Sequence, residues 1–385
     1  MNILFCLRYF PVYGGGETVT ITLANEFVNR NHNVHIVYCY ENIKENLPFI
    51  DPNIKTFKVD NLIDLFTMKD VINLRNIIVD NNIDIIINQW ASPNICFEAN
   101  RGTNTKIITC RHTNVIRETA IKGYGLKSIV KRVFYSQFQK YMFNKQIKEH
   151  DEICEKSDKY VFLSSSFVNE YKNISSYGFK SNNLIAIANP LTYRENVSSK
   201  ILDDKKNEIL FVGRFEEYPK RITRLLNIWE IINNTNKFER WKLILVGEGP
   251  DFELIKQISK KKNLRNISFE GFQSPMKYYK RASIFTMTSA IEGFPMALVE
   301  AQQNGAVPIA MNSYSSLHDI ITSNENGVIV EDGNIQQYSE KLMELMSNRD
   351  KREQLAIKAL DSCKKFSIDN IANQWENLFR SMEAK

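Results

Sequence analysis

Residues 1–30 read MNILFCLRYFPVYGGGETVTITLANEFVNR, and this stretch sets the unit from which the rest of the chain is built. Ile3 to Leu7 is a short continuous apolar run, the pattern of a strand buried on both faces. Pro11-Val12-Tyr13-Gly14-Gly15-Gly16-Glu17 breaks it, and Thr18 to Arg30 then carries apolar residues at helical spacing. Strand, glycine turn and helix follow one another within thirty residues.

The unit recurs. Val34 to Tyr40, Ile83 to Ile87, Ile107 to Thr109 and Tyr160 to Leu163 read as further buried strands, separated by amphipathic stretches such as Met68 to Val79. The rhythm pauses at Asn189-Pro190 and in Thr192 to Asn207, where SSKILDDKKNE carries too little apolar surface for a core and is expected to be a linker. It resumes with Ile209 to Val212, Leu243 to Val246, Ile267 to Phe269, Ile284 to Met287, Val307 to Ala310 and Val328 to Val330. The reading is α/β, with parallel sheets in two consecutive domains: 1–190, to which a C-terminal helix of about 368–385 returns, and 191–367. That helix places Ile371, Trp375, Leu378 and Phe379 on one side.

Composition agrees with a folded chain. Of 385 residues 43% are hydrophobic and 24% charged, which excludes wholesale disorder. The cysteines Cys6, Cys39, Cys96, Cys110, Cys154 and Cys363 form no CxxC pair, and several sit in apolar runs, as expected of free thiols in a reducing compartment. The first apolar run is interrupted by Arg8 too early for a signal peptide or spanning helix, so a cytoplasmic protein is expected. A net charge of +6 points to an anionic partner without choosing one.

In open parallel sheets ligands sit at the carboxyl ends of strands, so chemistry is sought in the loops there. The first glycine turn offers backbone N–H groups and a helix N-terminus to a phosphate; a flexible turn is the plain alternative. Val212-Gly213-Arg214 delivers an arginine at a strand end, with Lys220-Arg221 at a helix start beyond, a set of cations suited to a diphosphate or to a solvated rim. Val246-Gly247-Glu248-Gly249-Pro250 resembles a dinucleotide fingerprint superficially, but Phe252 stands at the third glycine position, and the first-domain loop fails likewise at Thr18 or Val19. Glu41, after the second strand, could hold a ribose in that weak reading. The sharpest segment is Ser289 to Ala301, SAIEGFPMALVEA: Glu292 lies in a turn lined by apolar residues, Pro295 suits a first helical position, and Glu300 follows on the helix.

These motifs, in this order and over nearly the whole chain, resemble the retaining glycosyltransferases of the GT-B fold, family four or group 1, with Glu292 and Glu300 as the paired glutamates. The resemblance implies two Rossmann-like domains whose parallel sheets face a central cleft, and transfer of a hexose from a nucleotide-diphosphate sugar, UDP favoured over GDP, to a glycan or lipid-linked acceptor in surface polysaccharide synthesis. It assigns Glu300 to the ribose hydroxyls, Arg214 and Lys220 to the diphosphate, and Gly15 and Gly16 to its approach from the first domain. Glu292 with the backbone of Gly293, Phe294 and Pro295 falls at the donor sugar, Met296 and Ala297 at the phosphates, and His112, in Thr109-Cys110-Arg111-His112, beside the reacting sugar. Two departures stand out: Arg221 follows Lys220 where many relatives have glycine, and the spacing from Arg214 is one longer.

No Asp-x-Asp triplet occurs, so no metal ion and no cofactor is expected. Residues 121–148 carry Lys122, Lys127, Lys131, Arg132, Lys140, Lys145 and Lys148 without an acid, interleaved with Tyr124, Phe134, Tyr135, Phe138, Tyr141 and Phe143. Such a segment suits docking on an anionic inner leaflet, or is an ordinary helix with core aromatics. The rivals for function are an NAD-dependent oxidoreductase and a non-catalytic nucleotide-sugar-binding protein. Nothing resembles a nucleic-acid module.

Overall fold

A computed structural model describes residues 1–11, 15–41, 48–63, 65–116, 135–175, 183–194 and 198–383 of the chain. Val12, Tyr13 and Gly14 of the first glycine turn, and Lys122, Tyr124, Lys127, Lys131, Arg132 and Phe134 of the basic segment, lie outside these residues. The chain divides into two compact units, Met1–Thr192 with Ile371–Lys385, and Tyr193–Asn370.

In the first unit β1 (Asn2–Cys6), β2 (Asn33–Tyr38), β3 (Lys55–Lys58), β4 (Ile85–Asn88), β5 (Lys106–Arg111), β6 (Lys159–Phe162) and β7 (Leu184–Ala186) form one sheet. Its order is β3-β2-β1-β4-β5-β6-β7, every neighbouring pair parallel. The apolar runs are continuous because helices cover both faces: all four residues of β4 are buried. The two strands that the apolar pattern does not announce are the edges. β3 is KTFK, largely exposed and carrying lysines as edge strands do, and β7 is only three residues long.

The second unit repeats the plan with β8 (Lys206–Val212), β9 (Lys242–Val246), β10 (Ile267–Phe269), β11 (Ala282–Met287), β12 (Val307–Asn312) and β13 (Val328–Glu331), ordered β10-β9-β8-β11-β12-β13 and again wholly parallel. Trp229 anchors its core, fully buried, with its indole N–H donated to the Arg265 carbonyl at 2.8 Å. In both sheets the chain proceeds outward from the first strand in one direction and then restarts on that strand's other side. The crevice between the two directions opens above β1 and β4 in one unit and above β8 and β11 in the other.

The helix Ile368–Glu383 completes the first unit. Phe379 packs edge-on against Phe27 with ring centroids 5.5 Å apart, and Glu376 accepts from Arg30 at 3.1 Å and lies 3.2 Å from His32. Among the described residues no helix is long and apolar enough to cross a membrane.

The polar stretch expected to be a linker is part of the second unit instead, save positions 195–197, which are not described. Ser199–Asp204 form a turn of 3-10 helix, Leu202 lies against the core, and Lys206 already belongs to β8. Lys205 is the reason so polar a segment packs: its stem enters the unit and its ammonium donates to the carbonyls of Tyr279 at 2.9 Å and Asn304 at 2.6 Å. Long cationic side chains bury their methylenes while the head finds acceptors, which an apolar count misses. Lys205→Met keeps the stem and strips both donors, so the second unit is expected to lose about 1–3 kcal/mol against urea; an unchanged unfolding midpoint contradicts this role.

Candidate active site

The loops above β8 and β11 meet at the second unit's crevice. The peptide N–H of Ala290 donates to the Pro219 carbonyl at 2.7 Å, and the hydroxyl of Thr288 donates to the carbonyls of Lys220 and Arg221 at 3.2 and 3.1 Å. This backbone stitching brings Lys220 and Glu292, 72 positions apart, into an ion pair with Nζ 2.5 Å from Oε1. Both side chains are largely buried, at 20% and 13% exposure, so neither charge could sit there without the other. The pair explains why a carboxylate occurs in an apolar turn.

Lys220 does not start a helix, as the sequence reading expected. It closes the single turn Glu217–Lys220; Arg221 then takes a left-handed φ of 51°, and the helix Ile222–Asn234 begins after it. A left-handed residue at this position costs glycine nothing and arginine something. In this chain Arg221 is held by Asp332, whose two carboxylate oxygens lie 2.9 and 3.0 Å from its guanidinium. Arg214 is placed differently from its expected partner: it is exposed, with Glu216 3.4 Å away, while the Lys220 stem passes beside Gly213.

Pro295 caps, rather than begins, the helix Met296–Gln303, and no side chain accepts from its first turn. The N–H groups of Met296 and Ala297 therefore face the position an anion would take, at the positive end of the helix. Phe294 is buried against Phe366 at 5.2 Å, which fixes the turn that carries Glu292 and Gly293. One turn along from Met296, Glu300 accepts from the Tyr279 hydroxyl at 3.0 Å.

The glycines of Val246 to Pro250 have a structural use. A Cβ on Gly247 would fall 2.0 Å from the Gly213 carbonyl oxygen, and one on Gly249 2.3 Å from that of Phe215. They let the loop after β9 lie on the loop after β8, with Phe215 donating to Glu248 at 2.9 Å, so the fingerprint-like spacing serves loop packing. Glu41, the ribose candidate of the NAD reading, is exposed and paired with Lys58 at 3.2 Å.

In the first unit Gly16 is tight against protein rather than open to a ligand: a Cβ there would lie 2.7 Å from Cζ2 of Trp90, whereas one on Gly15 meets nothing within 4 Å. Trp90 follows β4, and its N–H and that of Gln89 both donate to the Cys6 carbonyl at the end of β1, at 3.1 and 3.2 Å. His112, just past β5, stacks on the other part of this ring, with centroids 4.5 Å apart and planes 21° from parallel. Burial, with the Arg111 guanidinium beside it, pushes the imidazole down to about 3, so the ring is neutral at physiological pH. The sequence reading passed over Trp90 and Tyr279; a tryptophan three residues beyond the apolar run Ile85 to Ile87, at a strand's carboxyl end, was the available signal for the first.

Two doubly wound parallel sheets, the second with a buried ion pair and an open helix N-terminus above its switch point, define a class of α/β proteins that take ligands at the carboxyl ends of their strands. Family models place the chain within it: one for glycosyltransferase family 4 matches residues 13–191 and one for glycosyl transferases group 1 matches residues 193–361. The chain belongs to the GT-B group 1 glycosyltransferases. It is 23% identical over 379 residues to the GalNAc-alpha-(1->4)-GalNAc-alpha-(1->3)-diNAcBac-PP-undecaprenol alpha-1,4-N-acetyl-D-galactosaminyltransferase of Campylobacter jejuni, covering 96% of each chain. It is 24% identical over 358 residues to the lipopolysaccharide 1,6-galactosyltransferase of Salmonella typhimurium, covering 90% of each. The crystal structure of TarM superposes with a TM-score of 0.75 over 98% of both chains at 16% identity, a likeness of fold.

Gly16→Ala forces its new methyl group onto a ring that has no flexible end to yield. The variant is expected to change the near-ultraviolet circular dichroism of the tryptophans and to lose about 1–3 kcal/mol of stability, while Gly15→Ala leaves both unchanged; equal behaviour of the two variants refutes the Gly16–Trp90 contact.

Proposed function

We propose that this glycosyltransferase moves a hexose from a UDP-sugar to a glycan or lipid-linked acceptor, with retention of anomeric configuration and without a metal ion, in surface polysaccharide synthesis. The observation that carries the reading is the buried Lys220–Glu292 pair beside the open N-terminus of the helix Met296–Gln303. When the bond between the anomeric carbon and the diphosphate breaks, its electrons pass to the phosphate oxygen. Lys220, Arg214 and the N–H groups of Met296 and Ala297 would stabilise that charge, with Lys220 already oriented by Glu292. Such preorganised cations and dipoles do the work that a divalent ion does elsewhere.

In the same reading Glu300 binds the ribose, its carboxylate aimed by Tyr279, and Glu292 with Gly293, Phe294 and Pro295 contacts the sugar. Gly15 and His112 are the first unit's candidates; Gly16 lies against Trp90 instead. Retention rests on the family resemblance, and the preference for UDP over GDP on its prevalence as a sugar carrier. The acceptor class rests on the relatives, whose names specify an undecaprenol-linked glycan and lipopolysaccharide.

Attachment to the inner face of a membrane is part of the proposal. The helix Tyr135–Lys156 carries the described half of the basic segment, and up to Lys148 only Ile147 is buried. Tyr135, Tyr141 and Phe143 are exposed together with Lys140, Lys145 and Lys148, so here the aromatics that an ordinary helix would put in its core face outward.

A thermal-shift panel of UDP, GDP, ADP, their sugar conjugates and NAD in EDTA tests donor and metal together. A UDP-sugar at 100 times its Kd is expected to stabilise by about 2.7 kcal/mol; a response to NAD alone, or to a UDP-sugar only when Mg²⁺ is restored, overturns the assignment. Lys220→Ala is expected to lower kcat by about 10²–10³-fold, measured by release of UDP, and a variant retaining wild-type kcat removes Lys220 from the chemistry. Wild-type protein should sediment with vesicles containing phosphatidylglycerol at low salt, and Lys140→Glu with Lys145→Glu and Lys148→Glu should weaken this; failure of the wild type to bind removes the membrane.

A further inference from the structure

At the first unit's switch point, the place where a ligand would be expected to enter is occupied by a side chain. Trp90 leaves β4, crosses to the start of the helix Gly15–Asn29, and fills the space that Gly16 leaves by having no Cβ. Its backbone is fixed independently, since Gln89 and Trp90 both donate to the Cys6 carbonyl. The ring is thus clamped from two sides, and its remaining neighbour is His112, stacked on it at 4.5 Å.

Two further facts show that this stack is not ordinary core packing. The indole Nε1 of Trp90 and the Nε2 of His112 are both closed off from solvent and neither has a hydrogen-bond partner among the described residues. A buried indole N–H ordinarily finds an acceptor, and leaving it without one costs about 1–3 kcal/mol. Two such nitrogens on one stacked pair, at the carboxyl ends of adjacent parallel strands, mark groups reserved for something that carries both donors and acceptors, as a sugar's hydroxyls do.

We propose that Trp90 is a positioning residue for the transfer reaction, its indole fixing the plane of the His112 imidazole and excluding water so that the ring meets the sugar uncharged. The inference rests on the reading of His112 as the histidine beside the reacting sugar. An aromatic face favours a cation lying over it, so the stack alone does not neutralise the ring. Exclusion of water does, and the charged group acting on His112, Arg111, works in the same direction. Arg111 is itself held by the carbonyls of Asn114 and Val115, at 3.1 and 3.3 Å from its Nη2.

The test follows the five histidine signals of the ¹⁵N-labelled full-length chain by NMR from pH 5 to 8, with His112→Asn assigning one of them. In the wild type the His112 signal is expected not to titrate over this range. Trp90→Ala should bring its midpoint into the window, and Trp90→Phe, which keeps a stacked ring, should keep it out. Trp90→Leu, which preserves bulk, serves should the alanine variant not fold. Steady-state release of UDP from UDP-glucose, UDP-galactose and UDP-N-acetylglucosamine should show kcat falling at least tenfold in Trp90→Ala with little change in donor KM, and recovering in Trp90→Phe. A His112 signal that stays unprotonated in both the alanine and leucine variants, or a phenylalanine variant that behaves like them, overturns the proposal. If instead Trp90→Ala shifts the titration while His112→Asn retains full turnover, the reading of His112 fails and that of the stack does not.

Discussion

The pairing of β1 with β4 and of β8 with β11 is the constraint on which everything else hangs. Parallel neighbours cannot be joined by tight turns, so each connection is a long crossover, most often through a helix, and the loops that matter emerge at the carboxyl edge. Where the chain reverses its direction of travel across the sheet, two such loops diverge and leave a crevice. In one unit that crevice gathers Lys220, Glu292 and the start of the helix Met296–Gln303; in the other it gathers Gly16, Trp90 and His112. Residues distant in sequence become neighbours because of strand order, and no short-range pattern could have set them side by side.

The strands were legible where both faces are buried, because a continuous apolar run has one reading when turns bound it. They were illegible at the first sheet's edges: β3, with Lys55 and Lys58 at its ends, answers to solvent and to the need to discourage further pairing. Lys205 escaped notice for a related reason, since its charge suggested a linker while its four methylenes and three donors suited a polar niche between two carbonyls. The glutamates of Ser289 to Ala301 could be singled out because an acid in an apolar turn demands a partner; which cation answered it could not be read, as Lys220 lies 72 positions away.

Glycine was the least reliable guide. One cluster of it invited a phosphate and another resembled a dinucleotide fingerprint, yet Gly247 and Gly249 face the backbone of Gly213 and Phe215, and Gly16 faces an indole. A missing Cβ reports close approach without saying of what. Arg221 is the converse case, a left-handed residue that is not glycine, maintained by a two-oxygen contact with Asp332 and so by a charge pair that glycine would not need.

The two units handle charge at their switch points in opposite ways. Lys220 sits in a largely buried position against a carboxylate at 2.5 Å, so the direction of its side chain is fixed by the protein itself. His112 is kept neutral by burial and by Arg111, which leaves it able to donate from one nitrogen and accept at the other. One switch point therefore presents a cation fixed in direction and the other a neutral dipole, the first set by a partner carboxylate and the second chiefly by exclusion of water.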